Sequence, residues 1–219
     1  MNYLAHLYLA SDHPEAAVGS LMGDFVKGSI DHKYPRVMRA AIAQHRAIDS
    51  FTDAHPIVLR SKSRIEPPFR RYAGILVDMI YDHFLATEWS RYARSELPDF
   101  IADSYRQIDT HFHWLPERMH RTARYMIDYD LLGSYTSMKG IERALRGIET
   151  RLSRPSRLGD ATLELSRLLE PLREDFHDFF PDLIAYVDTT DYACGRITGS
   201  DYRHRYLSLD ILPTDREHP

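Results

Sequence analysis

The sequence predicts an all-α fold, a single-domain helical bundle, on three observations. Apolar residues recur at helical spacing through most of the 219 residues, and no run keeps the strict alternation of a half-buried strand. Proline opens several of the periodic stretches, at Pro14, Pro35, Pro67, Pro116 and Pro181, where a helix tolerates a residue without an N–H. The composition, 43% hydrophobic and 27% charged, is that of a globular chain long enough to bury a core without cross-links.

Helices are expected over residues 2–10, 14–22, 35–53, 67–92, 97–111, 116–129, 137–152, 159–179 and 181–193. The first is an apolar run halted at Ser11, Asp12, His13 and Pro14; it is too short for a membrane span and lacks the basic leader of a signal peptide. The second starts at Pro14 and carries Gly19 and Gly23, small enough for a neighbouring backbone to come close. The third ends at His55 and Pro56, because a residue preceding proline is pushed out of the helical region. Glu66, Pro67 and Pro68 mark the next break, and the fourth helix follows with the most apolar stretch of the chain. The later helices are amphipathic. Residues 1–193 are expected to form one helical domain and 194–219 a polar C-terminal extension without chemistry. No internal repeat or low-complexity linker interrupts them.

Cys194 is the single cysteine, so neither an internal disulfide nor a thiolate zinc site is available, and a cytoplasmic setting is expected. The net charge of −4 argues against nucleic acid as a partner. It hides an asymmetry: residues 27–71 hold ten basic and four acidic side chains, a surplus of six positive charges suited to an anionic partner. A solvated helix face with scattered charges explains the same stretch equally well.

Polar groups embedded in apolar pattern carry the chemistry. Asp82 and His83 follow Met79, Ile80 and Tyr81 and precede Phe84 and Leu85, and Asp78 lies one turn earlier on the face of Asp82. His45 and Asp49 share a helix face, as do Asp49 and Asp53. His6 sits in the apolar first helix, and Asp24 follows Gly23. Imidazole nitrogens and carboxylate oxygens together suit Mn, Fe, Zn or Mg ions, and buried carboxylates are costly unless paired or metal-bound. Each residue has a structural alternative: His6 as a hydrogen-bonded core histidine, Asp24 and Asp53 as caps, His45 and Asp49 as a surface pair. Taken together they point to a metal-dependent hydrolase. No Gly-x-Ser-x-Gly elbow and no Gly-rich phosphate loop is present, which disfavours covalent and nucleotide-cofactor chemistry.

The four blocks around His6, Gly19 to Gly28, His45 to Asp53, and Asp78 to Leu85 resemble the acyl carrier protein phosphodiesterases. The resemblance implies a divergent relative of the HD-domain phosphohydrolases, with the doublet Asp82-His83 reversed from the usual order. It implies a Mn²⁺-dependent enzyme, with Mg²⁺ or Fe²⁺ as alternatives, that converts holo-acyl carrier protein to apo-acyl carrier protein and 4′-phosphopantetheine. His6, Asp24, His45, Asp82 and His83 are then expected as metal ligands, with Asp49 and Asp78 as orienting groups or ligands of a second ion. Asp24, Asp82 and His83 are the expected catalytic residues. Arg46 is expected to contact phosphate, and Arg36, Arg39, Arg60, Lys62 and Arg64 to dock the acidic carrier protein. Two other readings stand beside this one: an HD-type enzyme acting on a nucleotide or small phosphoester, and a non-catalytic helical protein that binds an acidic partner.

Overall fold

The structure is a computed structural model that describes residues 1–152 and 156–190. Eleven α-helices run along the described residues, with four short 3₁₀ turns between them and no strand. They are α1 (Tyr3–Tyr8), α2 (Pro14–Met22), α3 (Arg36–Ala54), α4 (Pro56–Arg64), α5 (Ala73–Thr87) and α6 (Leu97–Thr110), followed by α7 (Glu117–Asp128), α8 (Leu131–Ser134), α9 (Met138–Glu149), α10 (Thr162–Arg167) and α11 (Leu169–Thr189). No helix among them is long and apolar enough to cross a membrane. The proposed extension 194–219, with Cys194, lies outside the described residues, as does the end of the helix expected to reach residue 193.

At the centre lies α5, whose residues from Met79 to Ala86 are all buried, so it is apolar nearly all round rather than on one stripe. Against it pack α1 and the aromatic ridge of α11. Phe176 lies 5.4 Å from Tyr81, 5.8 Å from Phe84 and 5.0 Å from Phe180, ring centre to ring centre. Each such buried ring contributes on the order of 1.5–3 kcal/mol relative to exposure. That packing explains why α11 runs through Pro181, where the sequence predicts a break. Phe176, Phe179 and Phe180 before the proline and Leu183, Ile184 and Val187 after it are all buried, which outweighs the roughly 3 kcal/mol cost of an interior proline.

Other boundaries also differ from expectation. The helix expected over 67–92 is confined to α5, flanked by 3₁₀ turns at Arg70–Tyr72 and Trp89–Arg91. The helix expected over 159–179 is divided between a 3₁₀ turn, α10 and the start of α11. The unpredicted α4 begins directly at Pro56, because His55 ends α3 and also caps α4, its Nδ1 accepting the N–H of Ile57.

Two helices bring the polar residues of the first half together. Along α3, Met38, Ala41, Ile42, His45, Ile48 and Thr52 form the buried stripe, so His45 occupies an apolar-face position. Helix α2 lies close along α3 because Gly19 has no Cβ; one added there would fall 2.6 Å from the Met38 carbonyl oxygen.

Candidate metal centre

His6 on α1 and His45 on α3 stack face to face, with ring centroids 3.7 Å apart and planes 17° from parallel. The Asp49 carboxylate, one turn beyond His45, spans both rings: Oδ1 lies 3.1 Å from His6 Nε2 and Oδ2 3.1 Å from His45 Nε2. One donor atom from each of the three lies within 4.8 Å of the others. Asp24, at the end of α2, brings Oδ1 to 3.8 Å from His45 Nε2. The two histidine side chains are 2% exposed, whereas Asp49 is 36% and Asp24 62% exposed, so the site has a buried nitrogen floor and an open carboxylate rim. Above it is a hollow of about 280 Å³ whose lining includes Gly23, Asp24, Lys27, Arg46 and Asp49.

The local backbone fixes His45. Its Nδ1–H donates to the Ser20 carbonyl at 2.6 Å, which leaves Nε2 as the nitrogen facing the acids. That Nε2 is buried and makes no aligned hydrogen bond, despite a carboxylate oxygen 3.1 Å away; His6 Nδ1 is likewise unpartnered. A bare nitrogen lone pair aimed at carboxylate oxygens is repulsive unless a cation lies between them. A proton can fill that role: burial pushes the His45 pKa down, but Asp24 and Asp49 overcome it and raise it to about 9. Burial and the neighbouring His45 lower His6 to about 4. Asp49 is held well below the usual carboxylate range, since the two imidazoles outweigh its burial. Two nitrogens and a shared carboxylate, with a second carboxylate at the rim, equally fit a divalent ion of the Mn, Fe or Zn type. Space for this arrangement depends on Gly23, where a Cβ would sit 2.0 Å from His45 Cδ2.

The model for the family described as acyl carrier protein phosphodiesterase matches residues 1–183. The chain belongs to that family. Among similar proteins, the acyl carrier protein phosphodiesterase of Photorhabdus laumondii is 31% identical over 89% of this chain and 98% of its own. Those of Yersinia pestis and Escherichia coli are 31% and 32% identical, each over 84% of this chain and 96% of the relative. No solved structure matches.

The remaining residues that carry the likeness to the acyl carrier protein phosphodiesterases fall outside the stacked trio. Asp82 is fully buried, and its carboxylate accepts the N–H groups of Leu4 at 2.8 Å and Ala5 at 3.3 Å, at the open end of α1. Asn2 supplies no side-chain cap there, so the carboxylate from α5 takes up the donors that the first turn leaves unpaired. Burial pushes the Asp82 pKa up to about 7 despite these bonds. His83 points away, its Nδ1–H donating to the Tyr135 carbonyl at 2.7 Å, and burial lowers its pKa. Asp78 pairs with the Met1 amino group at 3.0 Å, and that amine lies 3.9 Å from Asp49. Asp53 pairs with Lys62 at 2.7 Å.

Several of the expected docking cations serve the fold. Arg60 and Arg64 both hold the buried Asp175 of α11, and Arg60 also reaches Asp178. Arg46 donates to the carbonyls of Val26 and Gly28 and so closes the loop over the hollow. That loop turns through Gly28, whose φ of 73° lies in the left-handed region. Arg39 donates to His32, and Arg36 stands at the exposed start of α3. Sequence reasoning gave no weight to the Ser20 carbonyl that orients His45, because a backbone acceptor leaves no mark in residue type.

Proposed function

We propose that this chain hydrolyses holo-acyl carrier protein to apo-acyl carrier protein and 4′-phosphopantetheine with a divalent ion, Mn²⁺ first and Mg²⁺ or Fe²⁺ as alternatives. The observation that carries this reading is the convergence of His6, His45 and Asp49, with an unpartnered His45 nitrogen facing the carboxylates. The relatives are named for this substrate and match nearly their whole length.

In this reading His6, His45 and Asp49 hold the ion and Asp24 is the fourth group at its open side. A divalent ion bound there would supply charge to offset the phosphodiester and would lower the pKa of a coordinated water. Asp24, held below its ordinary pKa chiefly by the neighbouring His45 imidazole, remains ionised and orients the attacking water by accepting a hydrogen bond. Lys27 and Arg46 line the same hollow and set positive charge around the phosphate oxygens. Water adds to phosphorus, the bond to the carrier-protein oxygen breaks, and that oxygen departs with a proton. Asp82 and Asp78 act behind the site, Asp82 by holding the first turn of α1 that carries His6. His83 secures α5 to the Tyr135 backbone rather than meeting the phosphate.

Mass spectrometry of holo-acyl carrier protein after incubation with enzyme and Mn²⁺ tests the reading. The expected result is conversion to the apo mass with release of 4′-phosphopantetheine, lost on chelation and in His6→Ala and His45→Ala. An unchanged holo mass, together with turnover of a nucleotide or another small phosphoester, would replace the substrate assignment. Retained turnover after exhaustive chelation would remove the metal from it.

A further inference from the structure

A second and larger hollow, about 440 Å³ in volume, opens between the start of α1, α5, α7, α8 and α9. Its size falls within the roughly 300–1,000 Å³ typical of small-molecule sites. Apolar side chains such as Met79, Leu131 and Ile148 make its walls, and Arg121 and Arg151 join its lining. The tyrosines Tyr3, Tyr125 and Tyr135 and the Asn2 amide add hydrogen-bonding groups. The Asn2 Nδ2 donates to the Tyr135 hydroxyl at 3.1 Å, so this polar edge is held in place.

Tyr3 joins this cleft to the metal centre. It lines the cleft, and His6 follows one turn later on α1, about 5 Å along the same face. The Tyr3 phenol lies in the field of both Arg151 in the cleft and Asp24 at the metal rim. A ligand lying in the cleft therefore ends within a helical turn of the buried imidazoles. It would be amphipathic, with an apolar body and hydrogen-bonding groups, and anionic at the end nearest the metal. The hollow over Asp24 and Lys27 is smaller, about 280 Å³, and is lined chiefly by glycines and charged side chains.

We infer that this cleft is the binding site for the pantetheine arm, laid with its amides and dimethyl group along the Tyr- and Met-lined wall and its phosphate beyond Tyr3, at the Asp24 rim of the metal centre. This placement rests on the phosphodiesterase reading for its substrate, while the cleft itself is independent of the metal.

Gly147 provides the test. It lines the cleft from within α9, and a Cβ built on it meets nothing within 4 Å, so Gly147→Phe sets a bulky ring at the cleft lining and removes a helix-weakening glycine. In Gly147→Phe, the ratio of KM for holo-acyl carrier protein to KM for bis(nitrophenyl) phosphate should rise at least about ten-fold, the equivalent of one 1.4 kcal/mol step in affinity. Gly147→Ala should leave that ratio near wild type. Thermal shift with free pantetheine, which has no phosphate to meet the metal, reads the cleft directly. Wild-type protein is stabilised by millimolar pantetheine and Gly147→Phe is not. An unchanged KM ratio in folded Gly147→Phe, or no pantetheine shift in the wild type, overturns the inference. Failure of the wild type to release 4′-phosphopantetheine would overturn the phosphodiesterase reading instead, and the pantetheine shift would still report on the cleft.

Discussion

A buried carboxylate needs a compensating charge or a set of donors, and residue type does not say which. Asp82 shows the consequence: its setting among Met79, Ile80, Phe84 and Leu85 reads as a metal ligand, whereas its oxygens accept the N–H groups that open α1. His45 and Asp49 were legible because a four-residue spacing places both on one helix face whatever the tertiary fold. His6 was legible as a polar residue in an apolar run, but its stacking on His45 depends on how α1 meets α3, which periodicity does not encode. The capping role makes a distinct prediction for Asp82→Ala. It leaves the Leu4 and Ala5 N–H groups buried without an acceptor, at about 1–3 kcal/mol for each group left unsatisfied. At roughly 2–4 °C per kcal/mol for a chain of this size, Tm falls by several degrees. Mn²⁺ affinity weakens about 10–100-fold through the loosened turn carrying His6. Asp82→Asn, which keeps one carbonyl acceptor, should recover part of both losses. Thermal melts and metal titration read the outcome; loss of Mn²⁺ binding with an unchanged Tm would return Asp82 to the ligand set.

Between elements, the link from α4 to α11 is the clearest case of a charge cluster used for the fold. The Asp175 side chain is 1% exposed and takes Arg64 at 2.9 Å, Arg60 at 2.7 Å and the Ser61 hydroxyl at 2.6 Å. None of these partners is a sequence neighbour of Asp175, so α4 read as a polar, cationic segment rather than as a helix braced against α11. The same long-range packing carried α11 through Pro181, where a local rule places a stop. Burial pushes the Asp175 pKa up, but Arg64, Ser61 and Arg60 outweigh it, and the folded value lies below the ordinary one. Its stabilisation is therefore complete at neutral pH and is lost as pH falls through the unfolded value, about 4, toward the folded one. Because both arginines are partly exposed, Asp175→Asn should cost about 1–3 kcal/mol at pH 7 rather than the larger figure for a sealed ion pair. The Tm gap between wild type and Asp175→Asn should narrow below about pH 4. A gap that stays constant into acid would mean that the carboxylate charge contributes nothing and that packing alone is lost.

At the scale of the whole molecule, the surplus of six positive charges over residues 27–71 is smaller in the fold than in the sequence. Arg60 and Arg64 direct their charge to Asp175 of α11, outside that stretch, whereas the Lys62–Asp53 pair is already balanced within it. Composition measures charge along the chain, while a partner meets charge after internal pairing. Lys27 and Arg46 on the hollow over Asp24 set positive charge where the site opens, and Arg36 and Arg39 add theirs at the start of α3. An acidic carrier protein approaching that side would be guided to the metal rim, and such steering weakens with ionic strength because exposed charges are screened beyond about 10 Å at 0.1 M salt. The KM for holo-acyl carrier protein should therefore rise with salt, while the KM for bis(nitrophenyl) phosphate changes little. Charge reversal then separates docking from folding. Arg36→Glu and Arg39→Glu together should raise the KM for the carrier protein several-fold, and Arg36→Glu alone, at the exposed position, should do so by up to about 1 kcal/mol with little change in Tm. Arg64→Glu should instead lower Tm, because it sets a carboxylate against the buried Asp175. If Arg64→Glu raised KM with no loss of Tm while the α3 pair had no effect, the docking face would have to move from the start of α3 to α4.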